Sequence, residues 1–342
     1  MIEAYFNHFL FFFLALGFSL YLNKYLNKSF NLNKMFDPIT DRSSHKLNAT
    51  RSGGLAMFFT FCVCYGVGKA TGLIDINLYA LLCFCLIALI GVGDDLFNLK
   101  YREKFFLQVF AGIVLLQSGY TIDSFHGVFG IEEIPYSLSV AVSLFVFIVV
   151  VNSLNLIDGI DGLASLLSLK FFFVIGAILS VSSKEMELVV PAVAGALVGF
   201  LAYNFNPNKK VFLGDTGSLL LGSVMAFFVF YTLNSSSYIV TDGYMPRPLF
   251  VVLLLIYPLA DTLRAFVIRV YKKQSPFVAD RIHLHHRLLN KGATHWKASV
   301  TILISSISVL LVGFLLSQVF PLGITVIVLF VYLSILYYAI FK

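Results

Sequence analysis

The chain has 342 residues, of which 59% are hydrophobic and only 12% charged, with 36 Phe and a formal net charge of +6. A soluble domain carries roughly 25% charged residues, so this composition excludes a water-soluble globular protein and describes a chain built for lipid. The positive excess does not mark a nucleic-acid binder, because there is no soluble basic segment to hold a duplex; it reads as membrane orientation and anion handling.

Stretches of about 17–20 apolar residues are long enough to cross a hydrocarbon core of about 30 Å. About eleven follow one another, at residues 4–22, 54–71, 77–93, 105–120, 137–155, 163–182, 187–205, 217–233, 248–270, 299–318 and 322–341. The expectation is an all-α integral membrane protein, a single polytopic bundle over residues 1–342. Cys62, Cys64, Cys83 and Cys85 fall inside the second and third stretches and read as apolar packing residues with free thiols. The first stretch has no basic residue before it, and Lys24 and Lys28 follow it. A cleaved signal has the opposite order, so this segment is expected to be retained with its N-terminus outside.

Assigning successive loops to alternate sides places 20 of the 24 Lys and Arg on one side, leaving Lys69, Lys184 and Arg247 on the other and Lys170 inside a span. The positive-inside rule makes the first side cytoplasmic and puts the C-terminus there. The same assignment sends every polar motif to the cytoplasmic loops 23–53, 94–104, 152–164, 206–217 and 271–298, where the active site is expected. The external loop with Asp123, His126, Glu132 and Glu133 reads as a solvated surface.

In chain order, the first cytoplasmic loop carries Asp37, Arg42, His45, Lys46 and Arg51. It serves either as a positive-inside anchor or, through His45 and Lys46, as a seat for a lipid phosphate. Asp94-Asp95 ends the third span, and Lys100, Arg102 and Lys104 follow. Adjacent carboxylates at a membrane edge repel each other and are costly to desolvate, so they either cap a helix, steer a cation or take a proton. Lys104, one turn into the next helix, is placed to contact the same substrate. Asn155, Asp158 and Asp161 recur every third residue, so their oxygens lie about 60° apart on a helix or converge across a break at Gly159. Phe212-Leu-Gly-Asp215-Thr-Gly-Ser218 opens the eighth span. Its glycines suit a phosphate at a helix N-terminus, unless the motif merely caps. A carboxylate there would repel phosphate without an intervening cation, so Asp215 argues for a hard divalent ion, Mg²⁺ first and Mn²⁺ as a substitute. In the last loop Asp280 is expected to cap a short helix that stops at Lys291-Gly292, with His283 and His286 or Arg287 on one face and His285 turned away. Three histidines suggest zinc, but no further ligand stands at zinc spacing, and anion recognition fits better. Asp261 and Arg264 are expected to pair as structural support.

Together these motifs, Gly-Val-Gly-Asp94-Asp95, Asn152-x-x-Asn155-x-x-Asp158-Gly-Ile-Asp161-Gly, Phe212-x-Gly-Asp215-x-Gly-Ser and Asp280-Arg281-x-His283-x-His285-His286, resemble the polyprenyl-phosphate N-acetylhexosamine-1-phosphate transferases. The last motif is similar to the WecA and TagO branch rather than the MraY branch. The first loop departs from the pattern, with Ser43 and Ala49 where a basic residue and Pro are expected. The resemblance implies transfer of N-acetylhexosamine 1-phosphate, GlcNAc first, from a UDP-sugar to polyprenyl phosphate with release of UMP. It implies Asp215 and Asn155 as Mg²⁺ ligands, Phe212 stacked on uracil, Gly159 and Asp161 at the uridine, and Lys104 on phosphate. It sets the loop from His283 to His286 against the sugar and pyrophosphate, and makes Asp94 and Asp95 the family's acidic pair. Arg102 and Arg281 join the substrate-binding set, Asp158 the catalytic one. A homodimer in the plasma membrane is compatible with it.

The lipid phosphate carries about −1.5 to −2 charge near pH 7. Positioning and charge should therefore outweigh general-base catalysis. The rival classes are another UDP-sugar donor, such as a deoxy-aminohexose or muramyl-peptide, and a transporter. A transporter would place its acids near the bilayer midplane in repeated halves. Here the acids sit at one edge and no repeat is visible.

Overall fold

The computed structural model describes residues 2–37, 49–182, 188–234, 245–275 and 282–342. Among them the chain forms α-helices, one short 3-10 turn (Val128–Gly130) and, in place of strands, isolated β-bridges, Thr50 with Val211 and Ser124 with Glu133. The helices are α1 (Ile2–Leu32), α2 (Gly53–Ala70), α3 (Leu78–Phe97), α4 (Tyr101–Leu116), α5 (Tyr136–Ile157), α6 (Leu163–Ser182) and α7 (Val189–Asn204). They continue as α8 (Gly214–Asn234), α9 (Arg247–Leu254), α10 (Ile256–Tyr271), α11 (Leu284–Asn290), α12 (His295–Ser317) and α13 (Leu322–Phe341).

Each predicted span falls on a helix, but the spans are not equal. Seven helices are long and apolar enough to cross a membrane, eight if α9 and α10 count as one bent span. The apolar stretches Leu163–Ile178 and Val189–Asn204 are shorter, and α4 has 16 residues with Arg102, Glu103 and Lys104 in its first turn. At about 1.5 Å per residue, 16 residues reach about 24 Å, short of a full hydrocarbon core.

The centre of the bundle is α8. It is apolar on every side, as a helix enclosed by others must be, and Ser218 to Phe230 are buried without interruption. Around it pack α2, α3, α5 and α6, and α1 lies along α7. Small residues allow the close approaches. A Cβ on Gly91 would stand 2.4 Å from the Thr216 Cα, and one on Gly54 would stand 2.2 Å from the Gly217 amide. These contacts draw the polar ends of α2 and α3 onto the start of α8.

Two departures from the sequence pattern have local causes. The apolar run of α1 ends near residue 22, yet the helix continues to Leu32. A polar stripe holds the extension: Ser19 donates to the Ala196 carbonyl at 2.7 Å, and Asn27 meets the Lys209 carbonyl and Thr50 Oγ1 at 3.2 and 3.0 Å. The ninth predicted span is broken by 77° at Leu255, because Pro258 has no N–H for the carbonyl one turn back.

Candidate active site

One end of the bundle holds a cavity of about 440 Å³ lined by Asp37, Arg51, Asp94, Asp95, Asn98, Asn155, Asp158, Gly159, Ile160, Asp161, Asn204, Phe212, Leu213, Gly214, Asp215 and His286. Residues more than 200 positions apart therefore meet, and the acids expected to converge from three loops do so.

Asp94 and Asp95, neighbours in sequence, have different partners. Asp95 Oδ1 accepts from the Asp215 amide at 2.9 Å, and its Oδ2 accepts from the Thr216 amide at 2.9 Å and hydroxyl at 2.7 Å. It is thus the N-cap of α8, supplied by another helix, and it satisfies amides that would otherwise lack partners. This corrects the expectation that these amides stand open to a phosphate. Asp94 Oδ2 accepts from Lys104 Nζ at 2.8 Å, and the same ammonium donates to Asp215 Oδ2. Asn155 Nδ2 donates to Asp215 Oδ1 at 2.8 Å and to Ser218 Oγ at 2.9 Å. Asp94, Lys104, Asp215 and Asn155 are one network.

Asn155 lies on the last turn of α5, and Asp158 is the residue that ends it, with φ −75° and ψ 47°. The loop then reverses at Gly162, whose φ of +73° disfavours a side chain. The break expected at Gly159 is present: α5 stops at Ile157 and Gly159 lies in the turn that follows. The Asp158 carboxylate has no hydrogen-bond or cationic partner among the described residues. Desolvation first, and then the charges of Asp215, Asp95 and Asp161, raise its pKa well above the ordinary carboxylate value. Asp161 behaves in the opposite way. Burial alone would raise its pKa, but His295 Nδ1 at 2.9 Å and Lys210 Nζ at 2.6 Å outweigh burial and hold it below the usual value. Lys210 Nζ also lies 5.8 Å from the centre of the Phe212 ring, so Asp161 and Phe212 share a cation.

The histidine motif divides. His286 lines the cavity. His283 is buried with Nδ1 2.9 Å from Asp261 Oδ2, and Asp261 Oδ1 accepts from the Leu284 amide at 3.0 Å. Among the described residues Asp261 caps α11; Asp280, expected to cap it, lies outside them. Arg264 Nε is 4.0 Å from Asp261, the limit of an ion pair, and its guanidinium donates to the Ile282 carbonyl. His285 is fully buried, and neither ring nitrogen has a partner among the described residues. Burial first, and then the neighbouring His286, His283 and His295, hold it well below the usual histidine pKa, so it is neutral. Its ring packs under the loop that follows α5, where a Cβ on Gly159 would lie 2.4 Å from Nε2.

Two side chains stand elsewhere than expected, and three more of the predicted residues lie outside those described. Arg102 is exposed and donates to the Tyr101 hydroxyl at 2.9 Å, away from the cavity. Arg287 is exposed and donates to the Tyr337 hydroxyl at 2.7 Å, so of the two residues expected beside His283 it is His286 whose ring lies near it, 6.4 Å between centroids. His45, Lys46 and Arg281 lie outside the described residues. The fold adds Arg51, which pairs with Asp37 at 2.5 Å and stands 3.9 Å from Asp95, together with Lys210 and His295. Nothing in their sequence context sets these apart from ordinary loop residues.

Six carboxylates line the cavity, and among the described residues Arg51, Lys104 and Lys210 are the Lys and Arg that pair with them. Such a wall repels a diphosphate unless further positive charge enters with it. The donors are oxygens, which suits a hard divalent cation. No three His, Cys, Asp or Glu among the described residues form a closed metal cage. An ion held by one or two carboxylates plus substrate phosphates needs none.

The profile described as glycosyl transferase family 4 matches residues 77–233. The chain is similar to a probable undecaprenyl-phosphate N-acetylglucosaminyl 1-phosphate transferase of Bacillus subtilis (strain 168), 30% identical over 286 residues, covering 82% of this chain and 75% of that protein. It is similar to the decaprenyl-phosphate N-acetylglucosaminephosphotransferase of Mycobacterium tuberculosis (strain ATCC 25618 / H37Rv), 31% identical over 75% of this chain and 69% of the relative. The undecaprenyl-phosphate alpha-N-acetylglucosaminyl 1-phosphate transferase of Escherichia coli (strain K12) is 27% identical over 77% and 71%.

Proposed function

The chain belongs to glycosyl transferase family 4, and from that premise we propose that it transfers N-acetylglucosamine 1-phosphate from a UDP-sugar to polyprenyl phosphate and releases UMP. The observation that supports this reading best is the single cavity in which Asp94, Asp158 and Asp215 from three segments meet Arg51 and His286. Under the same reading the bundle crosses the plasma membrane about eleven times with this cavity on the cytoplasmic side, as the Lys and Arg distribution favours.

In the reaction an oxygen of the lipid phosphate forms a bond to the β-phosphorus of the donor, and the bond from that phosphorus to the bridging oxygen breaks as UMP leaves. Asp215, Asn155 and Asp94 are the residues that would hold Mg²⁺. The ion would supply positive charge to polarise and neutralise phosphate oxygens. Lys104, already shared by Asp94 and Asp215, is poised to move toward incoming phosphate, and Arg51 carries a second fixed charge at the cavity wall. Phe212, with Lys210 beside it, offers a ring face for a base, and Asp161 stays ionised at neutral pH to accept hydrogen bonds from a nucleoside. Asp158, its pKa raised well above the ordinary carboxylate value by burial and then by the neighbouring Asp215, Asp95 and Asp161, is suited to take the last proton from the attacking phosphate.

The test uses the purified protein with labelled UDP-GlcNAc, undecaprenyl phosphate and Mg²⁺, followed by organic extraction and thin-layer separation. The expected result is lipid-extractable label with equimolar UMP. Label that stays aqueous while free UDP-GlcNAc is consumed or carried across a vesicle overturns the reading.

A further inference from the structure

Lys170 is a charged residue in the middle of α6, flanked by Leu163–Leu169 and Phe171–Phe173. It is only 7% exposed. An ammonium at that depth is costly unless its protons find acceptors. Nζ donates to the Leu254 carbonyl at 2.6 Å and to Ser306 Oγ of α12 at 2.7 Å.

The first acceptor explains the lysine. In an unbroken helix the Leu254 carbonyl would accept from the amide of residue 258. That residue is Pro258, which has no amide proton. The orphaned carbonyl sits at the 77° break between α9 and α10, and Lys170 supplies the proton the proline lacks. The direction of α10 matters to the site. Asp261, three residues beyond Pro258, binds both the His283 ring and the Leu284 amide. Through them it orients α11, which sets His286 in the cavity.

We propose that Lys170 is a positioning residue: by tying the Leu254 carbonyl to Ser306 it sets the angle at which α10 leaves the break, and so holds Asp261, α11 and His286 in register with the cavity. The proposal rests on the transferase reading only in treating His286 as part of the reacting site. Lys170→Met removes both hydrogen bonds at similar volume, and Lys170→Arg restores donors.

Hydrogen exchange on the full chain in detergent reads the geometry without any assay of activity. Amides of 284–290 should exchange about 10-fold faster in Lys170→Met, remain near wild type in Lys170→Arg, and leave the protection of 219–230 in α8 unchanged. Unchanged exchange in α11, or loosening of α8 to the same degree, overturns the proposal. In the transfer assay Lys170→Met should lower kcat about 10-fold with KM for UDP-GlcNAc within about 3-fold. In a His286→Ala background it should add almost nothing. Full additivity overturns the route through His286. If Lys170→Met yields no folded protein, Lys170→Gln keeps a neutral donor and should give intermediate exchange at α11; wild-type exchange there overturns the proposal. If the wild-type protein makes no lipid-linked product, the functional reading fails and the exchange result still decides the role of Lys170.

Discussion

Asp158 differs from the other five carboxylates of the cavity in having no hydrogen bond or cation to stabilise its ionised form among the described residues. A carboxyl whose folded-state pKa lies above its unfolded value favours the fold while neutral, and that contribution disappears as pH rises through the folded value. Ionised Asp158 is therefore a cost at pH 8, and Asp158→Asn should melt higher than wild type at pH 8, with the difference vanishing near pH 4. An unchanged or lower Tm at pH 8 contradicts the raised pKa. Turnover by the same variant should fall more at pH 6 than at pH 8.5, where the lipid phosphate is already ionised. Asp94 and Asp215 share Lys104 but differ in what else they hold. Without Asp94, Lys104 still rests on Asp215 and Asn155 is untouched, whereas without Asp215 both Lys104 and Asn155 lose a partner, Lys104 keeping Asp94 and Asn155 the Ser218 hydroxyl. Asp94→Asn should keep measurable transfer at high pH and Asp215→Asn should lose at least about 1,000-fold at every pH. Equal losses across a pH series would remove the distinction.

Among the elements, α8 depends on a cap from elsewhere. Asp95→Ala leaves the amides of Asp215 and Thr216 without their acceptor and should cost about 1 kcal/mol or more, read as a lower melting temperature; Asp95→Asn, which keeps an oxygen acceptor, should recover part of it. A melting temperature unchanged in Asp95→Ala would show that the cap is dispensable. The loop after α5 and the short α11 form a second pair. The ring of His285 occupies the space a Cβ on Gly159 would enter, so Gly159→Ala must push the two apart. Transfer should drop at least about 10-fold, and His285→Ala in the same chain should return part of it by vacating that space. If the double variant is no better than Gly159→Ala alone, the contact is not what constrains the loop. The asymmetry within the histidine motif follows from this packing: one imidazole faces the cavity, one is bound to Asp261, and one fills the gap beneath Gly159.

For the whole molecule, the motifs share one side of the bundle, and labelling can test which side that is. With the four native cysteines replaced, a cysteine at Asn98 should react with a membrane-impermeant maleimide only in inverted vesicles, and one at Ser124 only in intact cells; the reverse pattern would place the cavity outside. Much of this architecture is legible in the sequence. The number and order of apolar stretches, the charge bias of the loops and the spacing of Asn155, Asp158 and Asp161 come from local rules, namely hydrocarbon thickness, the cost of charge in lipid and helical period. Burial is not legible. In lipid an apolar side chain gains nothing that distinguishes a protein neighbour from an acyl chain. So α8 and α13 both read as apolar spans, yet 94% of the apolar window of α8 is buried and only 17% of that of α13. The partners of polar residues are equally hidden, since they are chosen across helices. Adjacent Asp94 and Asp95 take a cation and a helix end respectively, Arg51 and His295 enter the site from remote segments, and Lys170 meets a carbonyl orphaned by a proline 88 positions later. The sequence by itself determined which polar groups flank the apolar stretches. Only the tertiary structure decided which of them face one another, because hydrogen bonds and ion pairs act over about 3 Å and that proximity exists only after the helices have packed.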